Sequence, residues 1–451
     1  MADRSGVAPS TTTPAPRADA AFPAATAVDP NLLWVGDVDN PSGYADEMRG
    51  FLRILEAAGH APTLRDLRLL SKRAGLSPSD QMLFARQRAR GIAQPAVVVH
   101  HYVATHNLLR THGAVTVGRT MFETDRVPES RLGVMLDRDQ IWVPCQFNVE
   151  TFVRGGIPEE KLRVVGGTME FDRFDPSVTT PYDLGVPDDH FVFLTNFAFA
   201  ERKAWKQLIR AWAKAFGPDD GVCLVLKTQS ETRSDDYVRQ RVESFLTQEF
   251  GPARGDMAPL VLMTENLPTA QLPSLYAAAD AYVLASRGEA VGRPYMEAMA
   301  MGLPTIASRW SGNLEFMHDG NSFLVGGEVV SCEDHAKEVF GEDLPGHNWF
   351  EPDVDDLADQ LRAVAGDPAA ARARAAGARA ELIERFGPER IARRVAHLAS
   401  EAWQLHGAIR MEPVHAVVRG PFGSGSSLAV VNDTLVDELS ARGHNVYREY
   451  Q

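Results

Sequence analysis

The sequence predicts an α/β protein built from two Rossmann-like domains facing across a cleft. Three observations predict it. Short apolar runs bounded by turn residues recur over residues 31–406, and stretches with helical periodicity follow them. A single composition shift, the Pro-, Asp- and Thr-rich stretch over 175–188, fits a linker between halves. A chain of 451 residues is long enough for two domains with a substantial core.

The elements follow in order. Residues 1–30 hold Ala, Thr, Ser and Pro with almost no large apolar side chain, so they cannot offset their ordering entropy and are expected to be disordered. The first domain is expected over 31–180. The run from Leu32 to Val38 predicts a buried strand, 39–43 a turn, and 44–58 a helix stopped by Gly59. Further strands are expected at 96–99, 114–117, 140–143 and 162–165. The second domain, 181–387, opens with a strand at 190–196 and continues with strands at 222–226, 260–263, 281–285 and 305–307. Helices near 355–385 and 388–406 close it. Over 411–451 an apolar run at 414–418, a small-residue loop at 420–427 and a helical pattern at 428–439 repeat the logic of residues 32–60. That unit is expected to be the start of a further, incomplete Rossmann-like domain; an extension adding an edge strand is the alternative.

The formal net charge of −14 argues against nonspecific nucleic-acid binding as the main activity. Cys145, Cys223 and Cys332 are widely separated, odd in number and without metal spacing, which fits a reducing compartment. Neither a signal-type apolar segment nor a run long enough to span a bilayer is present, so a cytoplasmic location is expected. Zinc spacing, a phosphate loop and a nucleophile elbow are absent.

The most informative stretch runs from Ser286 to Pro304. Glu289 and Glu297 are separated there by seven residues, behind the apolar run 281–285. Pro294 fits the first helical position and Gly302 the stop. One carboxylate then lies in the loop before a helix and the other just inside it. The amides of Ala290, Val291, Gly292 and Arg293 are expected to face the same crevice, and a helix N-terminus with unpaired amides binds phosphate. Anion site plus hydroxyl acceptors suits a nucleotide sugar. Arg202 and Lys203 stand at the predicted start of a helix running to Phe216, where two cations oppose the helix dipole unless an anion arrives. A diphosphate supplies one. Lys227, directly after a strand, is a weaker donor-site candidate. Gly43, at the first strand–helix turn, permits close backbone approach. His100 and His101 close an apolar run at the carboxyl end of a strand, where such sheets bind ligands. A basic zone (Arg65, Arg68, Lys72, Arg73, Arg86, Arg88, Arg90) fits a solvated helix face, and a peripheral contact with a lipid headgroup is open to it.

Taken together, residues 31–406 resemble the retaining glycosyltransferases of the GT-B fold in their large family four, the glycosyl transferases group 1. The segment 281–325 carries the paired glutamates. The stretch from Asn196 to Lys203 with 207–212, the pair Phe122–Asp125 and 139–144, and residues 164–176 agree with it. The resemblance implies that Glu297 binds donor ribose hydroxyls and that Glu289 faces the donor sugar near the reacting carbon. It further implies that the loop reaching Leu267 holds the base and that Glu123 and Asp125 line the acceptor side. One of His100 and His101 would face the donor sugar, and a helix over 388–410 would return to the first domain. The implied activity is metal-independent transfer, with retention of configuration, from a nucleoside-diphosphate sugar to an acceptor that is a saccharide, lipid-linked or a protein. No cofactor is implied. Side-chain cations and loop amides would carry the charge of the departing diphosphate. This chain departs from the family in one place: Ala290 and Val291 stand where Gly and an aromatic are usual, and Ala290 limits backbone freedom. The rival readings are a sugar-nucleotide epimerase or phosphorylase of the same fold and a non-catalytic sugar-nucleotide binder. A nicotinamide dehydrogenase fits less well, since Gly423 and Gly425 resemble part of a dinucleotide fingerprint but Leu428 breaks it.

Overall fold

The computed structural model describes residues 31–67, 74–91, 96–102, 113–230, 233–265, 267–406, 415–420, 435–436 and 445–450. The tail 1–30 therefore lies outside the described residues, as do Arg68, Lys72 and Arg73 of the basic zone.

Two parallel six-stranded sheets organise the chain. The first half runs β1 (Leu32–Gly36), α1 (Gly43–Ala57), β2 (Thr63–Asp66), α2 (Pro78–Ala89), β3 (Val97–His101), β4 (Val115–Arg119), α3 (Glu129–Leu136), β5 (Gln140–Val143), α4 (Gln146–Arg154) and β6 (Leu162–Val164). Its strand order is β2-β1-β3-β4-β5-β6. All five residues of β1 and of β3 are buried, as the near-continuous apolar runs require of strands covered on both faces. No helix or strand occupies residues 165–190.

The second half runs β7 (Phe191–Ala198), α5 (Trp205–Ala215), β8 (Val222–Gln229), α6 (Asp235–Phe250), β9 (Leu260–Met263), α7 (Leu272–Ala277), β10 (Ala281–Leu284), α8 (Arg293–Ala300), β11 (Thr305–Ser308) and β12 (Phe323–Val325). The order here is β12-β11-β10-β7-β8-β9. Strand order reverses between β7 and β10, which pair in parallel. A crevice therefore opens beyond their carboxyl ends, the place where open α/β sheets bind ligands.

An arm follows β12. It comprises β13 (Gly327–Ser331), α9 (Glu333–Phe340) and β14 (Asn348–Pro352), with β13 and β14 antiparallel. Cys332, Ala336, Leu344 and Trp349 of the arm are buried in one apolar cluster with Phe122, Val127, Met135 and Ile141 of the first half. Arg131 clasps Glu342 through two bonds of 2.8 and 3.1 Å, and Asp125 accepts from the Asn348 amide at 2.9 Å. On its other side the arm holds its own half: Arg287 meets both oxygens of Glu351 at 2.6 and 3.0 Å.

Four helices close the described core: α10 (Val354–Gly366), α11 (Pro368–Ala375), α12 (Ala378–Phe386) and α13 (Pro388–His406). Asp353 caps α10 by accepting from the Asp355 and Asp356 amides at 2.8 and 2.9 Å. Helix α13 packs on α1, β3 and β4 of the first half. Farther on, β15 (His415–Gly420) pairs in parallel with β16 (Asn445–Tyr450). Most of the helical pattern expected over 428–439, with its Gly-rich loop, lies outside the described residues.

Candidate functional site

The loops leaving β7 and β10 build the site. After β7, Glu201–Lys203 form a single 3-10 turn, and Ala204 adopts φ 47° before α5 begins at Trp205. Arg202 and Lys203 thus precede the helix instead of starting it. The electrostatic conflict expected of two cations there is met within the chain, which supplies a carboxylate from far along its length. Lys203 Nζ donates to Glu289 Oε1, and Arg202 lies 3.4 Å from the same oxygen. Glu289 is only 6% exposed, so its pairing decides whether it can be charged. Burial pushes its carboxyl up, but Lys203 and Arg202 outweigh that and hold it below the usual range. The Glu289 amide donates to Ser311 Oγ at 2.9 Å, which fixes the loop from the β11 side.

Arg202 also reaches Glu123 of the first half, Nη2 to Oε1 at 3.4 Å. These two residues flank a cavity of about 530 Å³ between the halves, whose walls include Tyr44, Phe199, Arg233 and, from α9, Phe340.

Helix α8 starts at the loop after β10. Gly292 caps it with φ 85°, and a Cβ there would meet the Tyr295 ring at 2.4 Å, so both conformation and space demand glycine. Ala290 carries no positive φ, and its carbonyl accepts from the Cys145 thiol at 3.0 Å; the alanine departure therefore costs this loop nothing in backbone strain. Val291 is buried at the contact with the first half, near Gly167. Among the described residues, none of the amides of 290–293 donates to a protein acceptor. Four unpaired N–H groups at a helix start favour an anion.

Glu297 sits one turn into α8 and is buried. Its Oε2 lies 2.8 Å from Tyr276 Oη, which is also 2.9 Å from Asn196 Oδ1 at the end of β7. Arg293, one turn back, stays 4.0 Å away and spends its guanidinium on Asp46 of α1 and on the Thr168 carbonyl at 2.9 Å. Burial consequently dominates and pushes Glu297 up to about 7.

The remaining candidates are placed as follows. Lys227 is buried near the end of β8, with its ammonium pushed down by burial. Leu267 is half-buried against the second half's core. Gly43 opens α1 with no atom within 4 Å of where a Cβ would stand. His101 lies inside the first half: Nδ1 accepts from the Trp34 indole at 3.2 Å, leaving Nε2 to face Glu47 at 3.1 Å. His100 lines a small pocket with Met135, Arg138 and Ile141, and burial pushes it down to about 3. Arg88 and Arg90 of the basic zone are taken up by Asp39, Asp66 and Glu56. Sequence reasoning missed Tyr276, Asp46 and the Arg287–Glu351 clasp, because each reaches the site from a distant element. The small polar run Ser311–Asn313 behind a predicted strand was a usable signal for the loop's support.

Among the described residues no group of three or more His, Cys, Asp or Glu is placed to hold a metal ion, and no helix is long and apolar enough to cross a membrane.

Residues 188–342 match the profile of the glycosyl transferases group 1 family. A D-inositol 3-phosphate glycosyltransferase of Saccharomonospora viridis is 28% identical over 261 residues, covering 56% of this chain and 53% of the relative. A GDP-mannose-dependent alpha-(1-6)-phosphatidylinositol monomannoside mannosyltransferase of Mycolicibacterium smegmatis is 26% identical over 235 residues, covering 48% and 55%. The chain thus spans about half the length of the curated relatives it matches. Among solved structures, Anabaena HepE in complex with UDP and glucose superposes with a TM-score of 0.58 at 16% identity, covering 82% of this chain and all of the other. The fold is GT-B.

Proposed function

We propose that this chain, which carries a glycosyl transferases group 1 domain over residues 188–342 on a GT-B frame, moves a sugar from a nucleoside-diphosphate sugar to an acceptor. One observation carries the reading. Four unpaired amides at the start of α8 stand in the loop that begins at Glu289, the residue held by Arg202 and Lys203. Cations and orphan amides on one crevice suit a diphosphate, and the paired glutamates suit hydroxyls.

In this reading the diphosphate lies over the amides of 290–293, with Lys203 beside it. An ammonium has three donors, and Glu289 takes one, so two remain for phosphate oxygens. As the glycosidic bond to the donor breaks, negative charge grows on the leaving diphosphate, and Lys203, Arg202 and the amides stabilise it where it develops. These protein cations do the work a metal ion would do, so the transfer is metal-independent. Glu289 orients sugar hydroxyls near the reacting carbon, and Glu297 accepts from the ribose. The acceptor enters through the cavity beside Glu123 and attacks from the face the diphosphate leaves, with retention. The first half closes over the crevice and keeps water out, since hydrolysis competes with transfer.

One relative is named for GDP-mannose and one structural neighbour holds UDP and glucose, so the base is left to experiment. A thermal-shift panel of UDP- and GDP-sugars tests the donor, because a ligand of the native state raises its stability. Product analysis with the stabilising donor then separates transfer from isomerisation and from binding alone. No stabilisation by any member of the panel would defeat the proposal.

A further inference from the structure

The protonation of Glu297 is tied to the opposite half of the molecule. Glu297 and Asp46 compete for one guanidinium. Arg293 and Glu297 lie four residues apart on α8, the spacing at which opposite charges pair on a helix, yet they stay 4.0 Å apart. Arg293 instead reaches across to Asp46 of α1, and its second nitrogen is fixed by the Thr168 carbonyl at 2.9 Å. Asp46 is held ionised: against the pull of burial, Arg293 and Arg49 keep it well below the usual carboxylate range. A buried carboxylate without a close cation is costly, and such a group takes up a proton. The surroundings of Glu297 agree. Tyr276 of α7 and Tyr282 of β10 are neutral, and burial raises both. Arg173, from the segment between the halves, also acts on Glu297, and it is engaged by Glu170 at 2.8 Å. As oriented here, Tyr276 Oη faces three oxygens, Glu297 Oε2 at 2.8 Å, Asn196 Oδ1 at 2.9 Å and, at a longer 3.4 Å, the Pro294 carbonyl, and can donate to only one. A proton on Glu297 lets that oxygen donate to Tyr276 Oη, so that both short contacts are satisfied.

We infer that Asp46 is a positioning residue that keeps Glu297 protonated in the free protein by drawing Arg293 away from it, so that binding a nucleoside diphosphate expels a proton. The inference rests on the proposed donor site, in which a deprotonated Glu297 accepts the ribose hydroxyls. A protonated carboxyl must give up its proton to accept from both.

Calorimetric titration of the full chain with UDP and with GDP at pH 6, in two buffers of different ionisation enthalpy, counts the proton. Each nucleotide diluted into the same buffers, and titrated there with acid in the absence of protein, supplies the baseline for its own ionisation. The wild type is expected to release close to one proton per nucleotide above that baseline, and Glu297→Gln none. Asp46→Asn, by freeing Arg293 for Glu297, is expected to bring the count toward zero, and Asp46→Glu to restore it. A purely structural role for Asp46 would change affinity and leave the proton count alone. Binding without any Glu297-dependent proton, or an unchanged count in a folded Asp46→Asn, overturns the inference while leaving the donor site standing. Failure of both nucleotides to bind the wild type overturns the donor site and this inference together.

Discussion

Lys203 and Glu289, 86 positions apart in the chain, form a buried ion pair at the point where strand order reverses in the second sheet. The pair joins the loops leaving β7 and β10, so it is a structural joint as well as a candidate piece of chemistry. Removing Lys203 leaves the Glu289 charge buried with Arg202, 3.4 Å away, as its cation among the described residues. Lys203→Ala is therefore expected to destabilise the protein by about 3 kcal/mol, the low end for breaking a buried pair. Urea unfolding measures it, and the Lys203→Ala, Glu289→Ala double variant should lose less than the sum of the two single changes.

Arg202 bears on turnover more than on donor affinity, because its charge matters most as the diphosphate departs. Arg202→Ala is expected to lower kcat by about 10²-fold, the usual cost of one transition-state donor, with a smaller change in KM. Steady-state kinetics with the donor found by the panel checks this. A rise in KM at constant kcat would assign Arg202 to ground-state binding alone.

Glu297 makes stability fall as pH rises. Its folded value of about 7 lies above the ordinary 4.5, so between those values the native state binds more protons than the unfolded one. The stability it contributes is complete below 4.5 and is lost as pH climbs to about 7. Glu47 has the opposite sign. Despite burial, Arg119 and His101 hold it down to about 2, so its contribution is present above 4.5 and is lost as pH falls toward 2. Urea midpoints at pH 5 and pH 7 isolate the first effect: the wild type should lose more stability over that interval than Glu297→Gln.

Gly292→Ala should cost about 1–3 kcal/mol, since the residue is held at φ 85° in a region unfavourable to any side chain. The added methyl also meets the Tyr295 ring at 2.4 Å. Because Tyr295 donates to the Leu284 carbonyl at 2.5 Å, displacing it disturbs the end of β10, and nucleotide affinity should fall along with thermal stability.

Much of this was legible in the sequence, for identifiable reasons. Strands such as β1, β8 and β10 are buried on both faces and therefore appear as plain apolar runs. Pro294 announced the start of α8 to within one residue, the helix beginning at Arg293, because backbone conformation limits which residues serve there. The Arg202–Lys203 environment was not legible, because a local rule about helix dipoles cannot see a carboxylate 86 residues away. Strand β2 was missed for lack of an apolar run, only two of its four residues being buried. The arm was missed for a different reason: its apolar residues match neither helix nor strand periodicity over a useful length, since they serve a core belonging mostly to the other half.

That arm has a mechanical consequence. It leaves β12 of the second sheet and returns into α10, its Trp349 and Leu344 are sunk among first-half side chains, and Arg287 rivets it to the loop that carries Glu289. The two lobes are in effect stapled along the α9 edge. Any motion of one lobe against the other has to carry the arm along or draw Trp349 and Leu344 out of the first half's core.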